Sequence, residues 1–407
     1  MSDQHERCDA RERFGKGVEL WYTQRLIQLS IVATIGFIGT FYFLGFLLGC
    51  LAISRMMRSV GYVRAFSGLA AIAAAGTLLL VLVIDPVTWS AVRFATGFCF
   101  AGLFTIMESW LNAGVANEDR ARILAVYRIV DIGSVTGAQF LIPVFGAGGF
   151  TIFAIMSMMI TLSLVPVSLA DRSNPTPPDE VKLDLARVWR ISPLGSMGCI
   201  AIGVTNSAFR TLSPVYAEEI GLSVADIATF VSVSIFGGAI IQYPLGYFSD
   251  RWDRRTTLLV STIGALISAL VIAVFAGSNP LANFALAFVF GSFAMPLYSL
   301  SAAHANDRAG KGEFVLVNAA LMLFYSIGAI GGPTAASYFM QHFGPQALFY
   351  FSAGVYAVFI IIILYRMGVR AAVPSNSRGH FTALLRTSTA FARLARGGDT
   401  NGHNGKD

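Results

Sequence analysis

The chain has 407 residues, of which 55% are hydrophobic and only 13% are charged. A soluble globular domain carries about 25% charged residues, so this composition excludes a protein whose surface lies mostly in water. The net charge of +6 does not indicate nucleic-acid binding. The Lys and Arg residues lie instead in short loops between apolar runs and in the C-terminal tail.

The chain begins with an atypical polar segment, residues 1–34. Within it, residues 18–34 are apolar enough only for a partial helix in the membrane interface. The polar side chains of Glu19, Gln24 and Arg25 argue against a full crossing.

Apolar runs long enough to cross a bilayer follow, since one crossing takes about 20 residues. Eleven spans are predicted, at 35–54, 66–84, 90–112, 123–145, 150–170, 196–217, 224–249, 256–276, 282–304, 315–340 and 346–366. The sequence therefore predicts an all-α, polytopic membrane protein.

Breaks in the hydrophobic pattern divide the chain into segments. Residues 35–170 form a predicted N-terminal bundle, the Pro-rich and charged residues 171–195 form a linker, and residues 196–366 form a C-terminal bundle. The basic tail, residues 367–407, is either disordered or an interfacial helix on anionic lipid.

Positive charge alternates along the connections between spans. The basic connections carry Arg55, Arg58 and Arg64; Arg120 and Arg122; Arg172, Lys182, Arg187 and Arg190; Arg251, Arg254 and Arg255; and Arg308 and Lys311. Because positive loops stay in the cytoplasm, the linker and the C-terminus are predicted to be cytoplasmic, in a multi-pass protein of the bacterial inner membrane. Eleven spans then place the basic N-terminus outside, which conflicts with the same rule.

Glycines repeat along the chain at an almost constant offset. Gly45 recurs as Gly237, Gly97 as Gly291, and the pair Gly133 and Gly137 as Gly328 and Gly332, at offsets of 192 to 195 residues. The two bundles are therefore predicted to be parallel repeats, related by an axis along the membrane normal.

The run GYFSDRWDRR at 246–255 resembles the signature loop of the major facilitator superfamily, which joins the second and third helices of each half. The resemblance implies a cytoplasmic latch or gate formed by Asp250, Arg251, Arg254 and Arg255. Asp253 stands where glycine is usual in the family. Arg58 stands at the aspartate position of the first-half loop, so a symmetrical latch is not expected.

Three further stretches extend the resemblance over residues 35–366. Arg93 with Gly97 matches the arginine of the family's fourth helix, and Gly133 with Gly137 resembles its fifth-helix glycine motif. The stretch ESWLN at 108–112 is similar to the YcaD-like bacterial branch of the family. The resemblance implies a major facilitator fold and transport of a small solute.

The repeat also predicts that one helix is missing. The span at 196–217 needs a counterpart near residues 3–24, which are too charged for a bilayer core. We therefore expect the family's first helix to be missing or replaced and the native start to differ from residue 1. An inactive, truncated transporter is then an alternative to an active one.

Charged residues inside spans are candidates for function because they are costly there. Glu108 and Arg128 lie at matching depth, and are either a structural ion pair or part of a coupling and gating site. Asp131 is a candidate for proton coupling, or else structural, and Arg93 for a gate or a snorkelling residue near the periplasmic end.

Arg210 is the leading candidate for holding an anionic group, because the resemblance places its helix along the central cavity. The other predicted substrate-binding residues line the same or the facing helices, and are Asn206, Phe209, Tyr298, Ser299 and Thr105. Ordinary interhelical packing is the alternative for these residues.

The predicted function is secondary active transport by alternating access, with protons as the expected coupling ion and an anionic or zwitterionic solute. No phosphate-binding loop, nucleophile elbow or metal-ligand spacing is present, so neither an enzyme nor a cofactor is expected. The alternative is a non-transporting sensor or scaffold of the same fold.

Overall fold

A computed structural model describes residues 2–114, 120–146, 149–169, 184–277, 279–310 and 313–370. Side chains are described from residue 31 onward, except at 111–114, 120–122, 124, 125, 128 and 315. All regular secondary structure in these residues is helical.

The first half of the chain forms seven helices. They are α1 (Ser2–Val60), α2 (Tyr62–Leu82), α3 (Pro86–Gly114), α4 (Arg120–Gln139), α5 (Leu141–Phe145), α6 (Phe150–Leu162) and α7 (Leu164–Leu169). Gly61 has a φ of 83°, which lets the chain reverse between α1 and α2.

The second half forms eight helices. They are α8 (Leu185–Ile191), α9 (Pro193–Glu219), α10 (Val224–Arg251), α11 (Arg254–Phe275), α12 (Pro280–Ala294), α13 (Leu297–Asn306), α14 (Phe314–Phe343) and α15 (Ala347–Val369). Pro296 separates α12 from α13, because proline has no N–H for the preceding turn.

All eleven predicted spans lie on helices. Nine helical segments of the described chain are long and apolar enough to cross a bilayer. The predicted span at 123–145 is divided between α4 and α5, and the search of its described residues gives a shorter apolar helical segment, Ile129–Phe145. The other exception is α9, which carries polar residues such as Asn206 and Arg210 that lower its mean hydropathy.

The first predicted span lies inside a longer helix. The helix continues without a break from Ser2 to Val60 rather than starting after residue 34. No proline lies between residues 2 and 60, so nothing in the backbone chemistry interrupts the helix there.

The glycine repeat corresponds to repeated helix packing. A Cβ on Gly45 would lie 1.9 Å from the Phe94 carbonyl oxygen, and one on Gly97 would lie 2.0 Å from the Tyr42 carbonyl oxygen, so α1 and α3 touch through their backbones. In the second half, a Cβ on Gly237 would lie 2.4 Å from the Phe288 carbonyl oxygen, and one on Gly291 would lie 1.9 Å from the Ser234 carbonyl oxygen. Helices α10 and α12 therefore also touch through their backbones. Small residues permit such close approach in membranes.

One glycine pair breaks this symmetry. A Cβ on Gly328 would lie 2.1 Å from the Ile200 carbonyl oxygen, so α14 packs tightly on α9. At Gly133 and Gly137 of α4, a Cβ would meet no described atom within 4 Å. Helix α4 packs chiefly on α10 of the other half.

Two seams join the halves. In one, α1 packs on α14, where the Thr40 hydroxyl donates to the Ile330 carbonyl at 2.8 Å. In the other, α4 packs on α10, where the Ser232 hydroxyl donates to the Thr136 carbonyl at 3.4 Å. Helices α3 and α9, one from each half, both contact α1, which forms one side of the first seam.

Candidate functional site

Two arginines from opposite halves lie on helices that pack against α1 near Tyr42. The Tyr42 hydroxyl lies within electrostatic range of both Arg93 of α3 and Arg210 of α9. The backbone packing explains this, because Gly97, one turn after Arg93, contacts the Tyr42 backbone. A Cβ on Gly39, one turn before Tyr42, would lie 2.6 Å from the Thr211 side chain.

Both guanidinium groups remain accessible. The side chains of Arg93 and Arg210 are exposed, whereas their neighbours Val92 and Phe209 are 5% and 2% exposed. Neither arginine forms an ion pair with any described carboxylate.

Tyr325 of α14 joins these cations to a buried polar group. It lies within electrostatic range of Tyr42, and its ring meets that of Tyr298 edge-on at 5.6 Å between centroids. Beside it, the Gln242 amide donates to the Ser299 hydroxyl at 2.6 Å. The predicted residues Tyr298 and Ser299 are therefore both buried, Tyr298 against the Tyr325 ring and Ser299 in its hydrogen bond with Gln242.

Asn206 shares a helix face with Arg210, because the two are four residues apart. Asn206 is 3% exposed, and its amide nitrogen has no hydrogen-bond partner among the described atoms. An unpaired buried donor is costly, so a polar group that binds there is favoured.

Phe209 points away from this site. It packs against Phe230, Phe290 and Phe349, with ring centroids 6.4, 5.3 and 6.3 Å away, inside the second bundle. One residue step turns a helix by about 100°, so the neighbours Phe209 and Arg210 occupy different faces. Phe209 thus packs inside the second bundle, and its role in solute binding stays a prediction.

Thr105 is also satisfied within its own helix. Its hydroxyl is buried and donates to the Ala101 carbonyl at 2.8 Å, so it has no free donor for a solute. Further along α3, Glu108 is fully buried and lies within electrostatic range of Cys50 on α1.

The predicted partners of Glu108 can be placed only in part. Asp131 is half-buried on α4 and takes part in a polar interaction. The Arg128 side chain lies outside the described residues, so the pairing of Glu108 with Arg128 stays a prediction.

The signature loop of the second half forms an ion-pair cluster at the basic end of the bundle. Arg254 is 2% exposed, and its guanidinium pairs with Asp250 at 3.1 Å and with Asp307, which follows α13. The loop thereby fixes the α10–α11 turn to the end of α13, within one half.

A second set of contacts extends this cluster to the end of α15. Asp253 accepts the Arg255 backbone N–H at 3.1 Å as the N-cap of α11, and its carboxylate pairs with the Arg255 guanidinium at 2.7 Å. Arg255 also donates to the Arg370 carbonyl at 2.6 Å. Arg251 lies outside this network, over the Tyr247 ring at 4.2 Å.

An apolar groove lies apart from these polar groups. It has a volume of about 910 Å³ between α9, α14 and α15, and is lined by side chains such as Met197, Phe339 and Phe359. Because it offers no cation, it is a poor match to an anionic solute.

A model of the Major Facilitator Superfamily matches residues 27–223 and 195–397 of the chain. The chain belongs to the major facilitator superfamily. An uncharacterised MFS-type transporter of Yersinia enterocolitica is 29% identical over 356 residues, which cover 85% of this chain and 89% of the relative. The MFS-type transporter YcaD of Escherichia fergusonii is 25% identical over 339 residues, covering 81% and 86%.

Solved structures confirm the MFS fold. The chain superposes on a point mutant of the nucleoside transporter NupG with a TM-score of 0.68 at 11% identity, covering 84% of this chain and 99% of that one. A bacterial homologue of the human lysosomal transporter Spinster gives a TM-score of 0.60 at 15% identity, covering 88% and 98%. At these identities the likeness concerns the fold alone.

Family membership confirms several predictions. The chain is a multi-pass membrane protein of a bacterial transporter family, its relatives are transporters rather than enzymes, and YcaD is among them. Sequence reasoning missed Tyr42, Tyr325, Gln242 and Asp307. Only the intramembrane Gln242 carried a signal, since an amide inside a span needs a partner.

Proposed function

We propose that this protein is a secondary active transporter that moves a small anionic or zwitterionic solute across the bacterial inner membrane by alternating access. The supporting observation is the site at Tyr42, where each half contributes one accessible arginine without a carboxylate partner among the described residues. Arg210 is the principal anion-binding residue in this proposal, with Asn206 beside it as a donor.

The division of the site between halves supports the alternating-access mechanism. Arg93 belongs to the first half and Arg210 to the second, so rocking of one half against the other changes the distance between the two cations. A solute that contacts both stabilises the state in which they are close, and its release permits the opposite state.

Proton coupling is assigned to Asp131 in this proposal. A carboxyl group at membrane depth can bind and release a proton, and Asp131 lies on α4 near its seam with α10. Protonation there would alter the charge beside a contact between the two halves. The basic end of the bundle, including the end of α15, faces the cytoplasm in this proposal because of its arginines.

A transport assay tests the proposal. Purified protein is reconstituted into liposomes that contain a pH-sensitive dye, and small metabolites are screened for solute-dependent pH change and counterflow. We expect uptake of an anionic or zwitterionic solute, loss of uptake in Arg210→Ala, partial recovery in Arg210→Lys, and no effect of Arg64→Ala, which changes an exposed arginine at the basic end.

The coupling role has its own measurement. We expect Asp131→Asn to flatten the pH dependence of uptake while counterflow persists. Solute binding without flux in the unmodified protein would favour a sensor or scaffold instead. Uptake kinetics unchanged in Arg210→Ala would remove that residue from the site.

A further inference from the structure

The apolar groove between α9, α14 and α15 is open on the outer side of the second bundle. Its lining includes Phe343, Tyr350 and Val358, whose side chains are 72%, 48% and 58% exposed. Helices α14 and α15 are long and apolar enough to cross a bilayer, so the groove faces lipid rather than water. A molecule that enters it must therefore be one that the membrane itself supplies.

The packing of the three helices explains why a groove remains between them. Helices α9 and α14 touch through their backbones, because a Cβ on Gly203 would lie 2.1 Å from the Tyr325 carbonyl oxygen. Helix α15 packs chiefly on α11 instead. At Gly354 of α15, which lines the groove, a Cβ would meet no described atom within 4 Å. The space beside this glycine is therefore open.

The groove is elongated along the helices. On α15 its lining extends from Tyr350 to Ile362, twelve residues along the chain. At 1.5 Å per residue this is about 18 Å, whereas the hydrocarbon of one leaflet is about 15 Å deep. On α9 the lining extends from Met197 to Val204. A long, apolar groove of this length matches an acyl chain that lies parallel to the helices.

Two arginines lie at the basic end of the groove. Arg366 follows Ile362 by four residues, so it continues the face of α15 that lines the groove. One turn later, the Arg370 guanidinium donates to the Ile191 carbonyl at 3.0 Å, just before α9 begins. Among the described residues, neither arginine forms an ion pair with a carboxylate. Positive charge thus lies beside both α15 and α9, where the apolar lining ends.

We propose that this groove binds an anionic phospholipid, with an acyl chain along α15 and the phosphate held by Arg366 and Arg370. The guanidinium groups form charge-assisted hydrogen bonds to the phosphate oxygens. The acyl chain packs on the apolar side chains and fills the space beside Gly354. The site is distinct from the candidate solute site, because Asn206 is two residues beyond Val204 and therefore turned by about 200° on α9.

Lipid titration tests the charge requirement. The full-length protein is delipidated in a mild detergent and titrated with phosphatidylglycerol, and bound lipid is counted by native mass spectrometry. We expect one tightly bound phosphatidylglycerol, and binding of phosphatidylcholine with the same acyl chains that is at least about tenfold weaker. Arg366→Ala and Arg370→Ala should each weaken phosphatidylglycerol binding about fivefold. Arg64→Ala, which changes an exposed arginine of the first half, should leave it unchanged.

Filling the groove tests the position of the acyl chain. Gly354→Leu places a side chain in the groove and should weaken phosphatidylglycerol binding at least about tenfold. Gly68→Leu is the matched control, because Gly68 is an exposed glycine of α2 where a Cβ also meets no described atom within 4 Å. It should leave binding unchanged. Circular dichroism of both variants checks that they fold.

Four outcomes would overturn the proposal. Equal binding of phosphatidylglycerol and phosphatidylcholine, or unchanged binding in both arginine variants, would refute the phosphate site. Unchanged binding in Gly354→Leu would refute the position in the groove. Binding of glycerol 3-phosphate as tightly as phosphatidylglycerol would show that the acyl chain contributes nothing. A dimer that Gly354→Leu abolishes would show that a second copy of this chain, rather than a lipid, occupies the groove.

Discussion

The broken symmetry of the glycine pairs gives a quantitative test of the packing. Gly133 and Gly328 occupy equivalent positions in the two halves, on α4 and α14. In Gly328→Ala the new methyl group would lie 2.1 Å from the Ile200 carbonyl oxygen, so α9 and α14 must move apart by about 1 Å. In Gly133→Ala it would meet no described atom within 4 Å.

The expected magnitudes follow from two opposing effects. Alanine favours a helix over glycine by about 0.8–1 kcal/mol, and both variants gain this. Overpacking costs typically about 1–3 kcal/mol, and only Gly328→Ala suffers it. The difference in unfolding free energy between the two variants is therefore about 1–3 kcal/mol, with Gly133→Ala equal to or more stable than the unmodified protein.

Thermal unfolding in detergent, followed by tryptophan fluorescence, measures this difference. The pair Gly45→Ala and Gly237→Ala is a matched control, because both positions are tightly packed and both variants should be destabilised. If Gly133→Ala were destabilised as strongly as Gly328→Ala, α4 would be packed against another helix at that glycine, and the reasoning would be wrong.

Three further predictions concern the basic end and the first turn. Arg254→Ala should destabilise the protein by about 3–5 kcal/mol, because it removes the Arg254 cation from the carboxylate of Asp307, whose side chain is 5% exposed. In thermal unfolding, the double change Arg254→Ala with Asp307→Ala should cost less than the sum of the two single changes. The Gly310 backbone N–H lowers the pKa of Glu313 in the folded protein. This carboxylate therefore stabilises the fold above its unfolded pKa of about 4.3, and the stabilisation is lost as the pH falls through the folded pKa. Acid unfolding of Glu313→Gln should therefore lack that pH-dependent loss. Gly61→Ala should cost about 1–3 kcal/mol, measured by the same thermal assay, because φ of 83° strains any other residue.

The spans and the repeat were predictable because they depend on composition and spacing alone. Apolar runs of about 20 residues determine the helices, and glycines at close contacts recur at the repeat offset. The site was harder to predict. Arg210 is conspicuous inside an apolar run, but Tyr42 lies in an aromatic stretch where nothing marks its position between the two arginine-bearing helices.

Two further placements could not be predicted from the sequence, for physical reasons. Phe209 is adjacent to Arg210 in sequence, yet the helix turns it into the second bundle. Asp307 follows a helix end and resembles an ordinary loop residue, although folding brings it against Arg254. These two residues are 53 positions apart, and spacing along the chain does not encode such contacts.

The attachment of α4 to α10 bears on how the protein unfolds. By sequence α4 belongs to the first repeat, but its main packing partner is in the second. Cooperative units follow contacts rather than sequence, so α4 should lose its amide protection from hydrogen exchange together with α10, and not with α2 or α3. The parts of this protein that open independently therefore do not coincide with the two sequence repeats.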